Sequence, residues 1–198
     1  MNSQYFPRVS EVISFCYPGQ FDAVPFSILQ MACDRGTYYH NIAKEIMMSR
    51  QYPKIHKFKK KQYADDYHIV AGIQKWAEAH GIDPVAVEES AVHPVMRYRG
   101  TPDLLAMAMN PRSPYYGKLL LPDFKFTSSI FPSNEMQIVA YSNLPAYSEA
   151  QVLLLVQINP YTGTYKEHRV YKFGNGHWME FCNALAKILQ GEVPPEKR

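Results

Sequence analysis

Apolar positions along the chain follow two regimes. In the first they recur at helical spacing. Val12, Ile13 and Phe15 follow Ser10, a residue type suited to capping, and predict a short helix. Ile42, Ile46 and Met47 predict a longer helix from about Cys33 to Arg50. Ile69, Val70, Ile73 and Trp76 predict a third, from Asp65 to His80, which stops at Gly81. Between these last two, Gln51 to Lys61 breaks the periodicity with Pro53 and a cluster of lysines. The second regime is dominated by strand patterns. Val85 to Tyr98, Thr101 to Met109 and Leu119 to Phe126 read as consecutive strands, joined at Arg99-Gly100 and across Asn110 to Gly117. A helix from Asn134 to Asn143 follows. Val152 to Ile158 and Thr164 to Lys172 then form a hairpin around Asn159 to Gly163, and Trp178 to Leu189 is a closing amphipathic helix. This order predicts an α/β fold, a mixed sheet flanked by helices. One domain is expected over residues 1–198, with a mainly helical part (1–84), a sheet-containing core (85–190) and a frayed charged tail (191–198).

Composition narrows the classes. With 198 residues, 46% of them hydrophobic, the chain can bury a core, which sets disorder aside. A net charge of only +3 means that a nucleic-acid partner must be argued from where the charge sits. The three cysteines, Cys16, Cys33 and Cys182, form no CxxC, so neither a zinc ribbon nor an iron–sulfur cluster has a ligand set. Their odd number and the lack of a signal peptide point to a reducing, cytoplasmic setting. The longest apolar run, Val152 to Val156, is too short to span a bilayer.

The chemistry gathers in four segments, in order: Arg35-Gly36-Thr37-Tyr38-Tyr39-His40, Gly100-Thr101-Pro102-Asp103, Asp123-Phe124-Lys125, and Gln137-Ile138-Val139-Ala140-Tyr141. Asp123 and Lys125 are one residue apart on a strand, so their side chains share a face. The rest of that strand is apolar, and burying two charges there is costly unless they are paired or bind a metal. A meander would bring Asp103 beside Asp123. Two converging carboxylates make a hard oxygen site for Mg²⁺ or Mn²⁺, and an imidazole from His40 favours Mn²⁺. Phosphodiester hydrolysis needs such a site, because the ion lowers the pKa of its bound water and offsets charge on the phosphate. Lys125 would position or deprotonate the water, or stabilise the transition state. Gln137 and Tyr141, four apart on one helix face, would reach the phosphate or the lysine.

Taken together, these segments resemble the RecB-like branch of the PD-(D/E)xK nuclease superfamily. Its RGxxxH, GxxD, (D/E)xK and QxxxY motifs occur in this order. The stretch Glu89-Ser90-Ala91-Val92, leading to Tyr98-Arg99-Gly100 and Asp103, is similar to mitochondrial genome maintenance exonucleases, and phage and CRISPR-associated RecB-like nucleases are similar too. The resemblance implies a restriction-endonuclease-like core. It implies metal ligation by His40, Asp103, Asp123 and the backbone carbonyl of Phe124. It further implies a catalytic Lys125, an accessory acid at Glu89, and support of the site and DNA by Gln137 and Tyr141. This chain departs from the pattern after the lysine, where the family has threonine and Phe126 stands here before Thr127.

The function expected is a Mg²⁺- or Mn²⁺-dependent deoxyribonuclease. An exonuclease on single-stranded ends is favoured, working beside replication or recombination proteins, with a phage origin. The rivals are an endonuclease on the same core, an RNase, and a non-catalytic DNA-binding subunit. Arg35 and the basic cluster Lys57, Lys59, Lys60 and Lys61, with Lys54 and interleaved Tyr52, His56, Phe58 and Tyr63, would contact DNA. A solvated connector is the alternative reading of that cluster.

Overall fold

The structure is a computed structural model and describes residues 5–49 and 66–192. Its helices are α1 (Val9–Cys16), α2 (Phe26–Met48), α3 (Tyr67–His80), α4 (Pro132–Ser142) and α5 (His177–Leu189). Its strands are β1 (Ile82–Val87), β2 (Ala91–His93), β3 (Tyr98–Gly100), β4 (Leu104–Ala108), β5 (Leu119–Lys125), β6 (Val152–Ile158) and β7 (Tyr165–Val170). Five strands form a mixed sheet in the order β1-β4-β5-β6-β7, in which β5 and β6 are parallel and the other pairs antiparallel. β2 and β3 make a separate hairpin. Among the described residues no helix is long and apolar enough to cross a membrane.

The period of two along β5 and β6 builds a core on each side of the sheet. Leu120, Phe124, Val152, Leu154, Val156 and Ile158 face α2 and α3, where Ile42, Ile46, Ile69, Ile73 and Trp76 meet them. Leu121, Leu153 and Leu155 face α1, α4 and α5, against Val12, Met136, Val139 and Phe181. Trp76 meets Phe124 edge-on, with centroids 5.3 Å apart. Truncating either ring would cost about 3–5 kcal/mol.

The structure corrects several sequence expectations. Val85 to Tyr98 is three strands, not one. Glu88 (φ 47°) and Arg97 (φ 60°) adopt left-handed backbone; the first turns the chain out of the five-stranded sheet after β1, and the second lies in the turn that joins β2 to β3. β1 starts earlier than expected, at Ile82 directly after Gly81 (φ 59°), and carries Pro84. An edge strand tolerates that proline, and the register shifts between Pro84 and Ala86. α2 starts at Phe26 instead of Cys33; its first half is largely exposed, Phe26, Ile28 and Met31 included, so no buried face marks it. Ser10 lies inside α1. The cap is Arg8, whose N–H donates to Glu11 Oε2 over 2.8 Å.

Candidate active site

The carboxyl end of β5 carries the cluster. Leu121 and Leu155 show that odd positions of β5 and β6 face α4, so Asp123 and Lys125 point to that side. The β4–β5 pairing runs through Met107↔Leu119 and Ala106↔Leu120. Further along, Pro122 has no N–H to give, and the two strands stop pairing. Asp103, just before β4, fills the opening: its Oδ2 accepts the Phe124 N–H at 2.7 Å. A side chain thus takes over a donor that a backbone carbonyl would otherwise take.

His40 comes from the opposite layer. The turn that follows it in α2 is anchored by buried Ile42, Ala43, Ile46 and Met47. Its Nδ1 lies 3.1 Å from Asp103 Oδ2. On the other side, Lys125 Nζ lies 2.5 Å from Asp123 Oδ2 and donates to Gln137 Oε1 at 2.7 Å. Gln137 Nε2 donates in turn to the Tyr141 hydroxyl at 3.2 Å. The structure therefore brings His40, Asp103, Asp123, Lys125, Gln137 and Tyr141 together at one strand end.

Burial and charge oppose each other in this cluster. Burial raises the Asp103 carboxyl, but the charge and hydrogen bond of His40, the Lys125 ammonium and the Phe124 N–H outweigh it and hold it below the usual range. Burial lowers His40, yet Asp103, with a smaller share from Asp123, lifts it above its ordinary value. Asp123 is only 2% exposed. Burial pushes it up, Lys125 pulls against this, and the neighbouring Asp103 charge adds to the rise. Burial, then the same two carboxylates, drive the Tyr141 hydroxyl far up, so it stays a neutral phenol.

Among the described residues no three or more His, Cys, Asp or Glu side chains are arranged as a ready metal cage. The donors form an open set instead. Asp123 Oδ2 is buried and, although within ion-pair distance of Lys125, receives no well-directed hydrogen bond. A buried carboxylate oxygen whose one close neighbour is an ammonium, beside a second carboxylate, fits a hard divalent ion held through part of its shell.

The other predicted residues fall elsewhere. Phe124 puts its ring in the core and its N–H on Asp103. The Glu89 side chain is exposed, and its carbonyl accepts the Tyr147 hydroxyl at 2.5 Å. Its neighbour Glu88 turns toward α2 and pairs with Lys44 at 2.8 Å, one helical turn past His40, while its N–H donates to the Asp103 carbonyl at 3.0 Å. Nothing in the residue types distinguishes Glu88 from Glu89; the left-handed backbone of Glu88 does. Arg35 lies on the exposed half of α2. Lys54, Lys57, Lys59, Lys60 and Lys61 lie outside the described residues. Phe126 is a contact that sequence reasoning missed: it is 8% exposed, and its ring meets His40 edge-on.

Fold and site together define a mixed α/β protein whose helix-flanked, five-stranded sheet carries a carboxylate, imidazole and lysine cluster at the end of a central strand. No family model matches the chain, and no curated protein matches it. A solved structure of SSO0001 is similar over 98% of this chain and 80% of that one, at 13% identity and a TM-score of 0.45.

Proposed function

We propose that the chain is a Mg²⁺- or Mn²⁺-dependent deoxyribonuclease with a PD-(D/E)xK core, and more narrowly an exonuclease acting on single-stranded ends. One observation carries the reading: residues from four separated segments meet at the end of β5, His40 paired with Asp103, and Lys125 in contact with Asp123 and, through Gln137, with Tyr141, while the Phe124 N–H ties Asp103 to the strand of Asp123 and Lys125.

Asp103, Asp123 and His40 would hold the divalent ion. Bound there, the ion supplies a water of lowered pKa and positive charge against the scissile phosphate. The remaining work falls to the side chains. The contacts of Lys125 Nζ with Asp123 and Gln137 are both with acceptors, which suits a donating ammonium. The same ammonium would orient the attacking water or meet a phosphoryl oxygen as charge builds on it. Gln137 fixes the rotamer of Lys125, and the Tyr141 hydroxyl fixes Gln137. His40 Nδ1 and the Phe124 N–H both meet Asp103 Oδ2 and together set the direction of that carboxylate.

The test is timed digestion of 5′- and 3′-labelled single strands, duplexes and closed circles with Mn²⁺, Mg²⁺ or EDTA. Linear single strands should shorten from an end with either ion and survive in EDTA. Asp103→Ala and Lys125→Ala should each lower the rate by about 100- to 1,000-fold. Cleavage of closed circles would replace the exonuclease reading with an endonuclease. Full activity in EDTA, or in either variant, would overturn the metal site.

A further inference from the structure

We infer that Phe126 is a positioning residue for His40: its ring packs perpendicular to the imidazole and braces it, so that Nδ1 stays on Asp103 Oδ2. The inference builds on the reading of His40 as part of a metal site.

Phe126 directly follows Lys125 and, being one place out of phase with it, faces the α2 layer instead of α4. It is 8% exposed and meets three rings. The His40 ring lies 5.3 Å away at 88°. The Tyr39 ring lies 5.3 Å away at 61°, and Phe124 is stacked at 6.4 Å and 19°. Edge-to-face contacts are directional, since a ring edge is positive and a ring face negative. An imidazole at 88° is therefore held in angle as well as in place.

His40 needs such a brace because of where it sits. The residues that anchor α2 in the core, Ile42, Ala43, Ile46 and Met47, all follow it, and the half of the helix before it is largely exposed. The imidazole thus stands where the anchored part of the helix begins. One hydrogen bond to Asp103 leaves the ring free to tilt about the N···O line; a second contact, from Phe126, removes that freedom.

The experiment compares Phe126→Leu, which fills much of the space without a ring, with Phe126→Tyr, which keeps the ring. In metal-free protein, the ¹⁵N shifts of the His40 imidazole nitrogens should report one fixed, hydrogen-bonded form in the parent and in Phe126→Tyr. In Phe126→Leu they should move toward the values of a free, tautomer-averaged imidazole. Mn²⁺ affinity by calorimetry should fall about 10- to 100-fold in the leucine variant only, the usual effect of losing an outer partner of a ligand. Unchanged His40 shifts in a folded Phe126→Leu protein would overturn the inference. So would equal losses in both variants with His40 signals intact, since that pattern is packing alone. A parent protein that shows the fixed imidazole but binds no Mn²⁺ would sink the nuclease reading, and the metal-free spectra would still decide the role of Phe126.

Discussion

Gly100 and the ring of Tyr141 occupy one space: a Cβ built on Gly100 would lie 2.6 Å from Tyr141 Cε1 and 2.8 Å from Cδ1. Two segments some forty residues apart in sequence are thereby interlocked. The glycine does not serve a tight turn here. It lets the tyrosine slide beneath the strand that leads to Asp103, where its hydroxyl reaches Gln137 at 3.2 Å.

Replacing that glycine should therefore act through the tyrosine. Gly100→Ala is expected to destabilise the fold by about 1–3 kcal/mol, the usual cost of an overpacked methyl. It should also lower cleavage by tilting the Gln137–Lys125 contact. Val9 Cγ2, 3.1 Å from the same Cβ, limits how far the chain can yield. In urea melts, Tyr141→Ala should cost less in the Gly100→Ala background than alone, because the clash is gone. Strict additivity of the two would show that the sites do not share this space.

Asp123 gives a trade between stability and activity. Its carboxyl is raised by burial and by the Asp103 charge, with Lys125 pulling against them. A raised acid in the folded state favours the protonated form. The penalty is therefore absent below the unfolded pKa, grows as pH rises through the folded value, and is complete above it. Asp123→Asn should thus raise the melting temperature of metal-free protein at neutral pH, lose that advantage toward acid, and abolish cleavage. Thermal melts in EDTA from pH 4 to 8 check the sign. A variant less stable than the parent at pH 8 would mean that the Lys125 pairing outweighs burial.

The opposite sign applies to Glu167 on β7, away from the site. Its Oε1 lies 2.7 Å from His80 Nε2 and accepts the Trp76 indole N–H at 2.8 Å, while Oε2 accepts the Tyr115 hydroxyl at 3.2 Å. Burial raises this carboxyl, but the hydrogen bond and charge of His80, with the two donors, bring it below its ordinary value. Its stabilisation is present above the unfolded pKa and lost as pH falls through the folded one. Glu167→Gln should be less stable than the parent at pH 7, and the gap should close in acid. The unfolding midpoint against pH, for both proteins, reads this directly. A constant gap across the range would assign the loss to shape instead of charge.

The legible parts of this molecule share a physical cause. β5 could be read because an apolar run, Leu119 to Leu121, leads into Phe124 and Phe126 alternating with Asp123 and Lys125 at a period of two. The end of α3 could be read because Gly81 adopts φ 59°, a conformation glycine reaches at little cost. The turns at Glu88 and Arg97 could not, since both residues take left-handed backbone without being glycine. The start of α2 was hidden because an exposed helical half leaves no apolar stripe. Within the site, Asp103, Asp123 and Lys125 follow from neighbouring strands and a spacing of two. The contact of His40 with Phe126 joins residues 86 positions apart through an inter-layer packing that no local pattern encodes.

Gln137 and Tyr141 allow a separation of positioning from folding. Tyr141→Phe keeps the ring beneath Gly100 and removes the acceptor of the Gln137 Nε2 donor. Gln137→Leu keeps similar bulk on α4 and leaves Lys125 Nζ without the carbonyl that it meets at 2.7 Å. Neither change opens a cavity, so both proteins should unfold within about 1.5 kcal/mol of the parent. Both leave the carboxylates in place, so the Mn²⁺ concentration for half-maximal activity should hold. What should fall is kcat, by about 10-fold or more for Gln137→Leu and less for Tyr141→Phe, with KM little changed, the pattern of a contact that matters only as charge develops on the phosphate. The order of the two effects follows from the geometry, because the glutamine touches the lysine and the tyrosine touches only the glutamine. A Tyr141→Phe protein more impaired than Gln137→Leu would show that the hydroxyl acts on the substrate itself and not through Gln137.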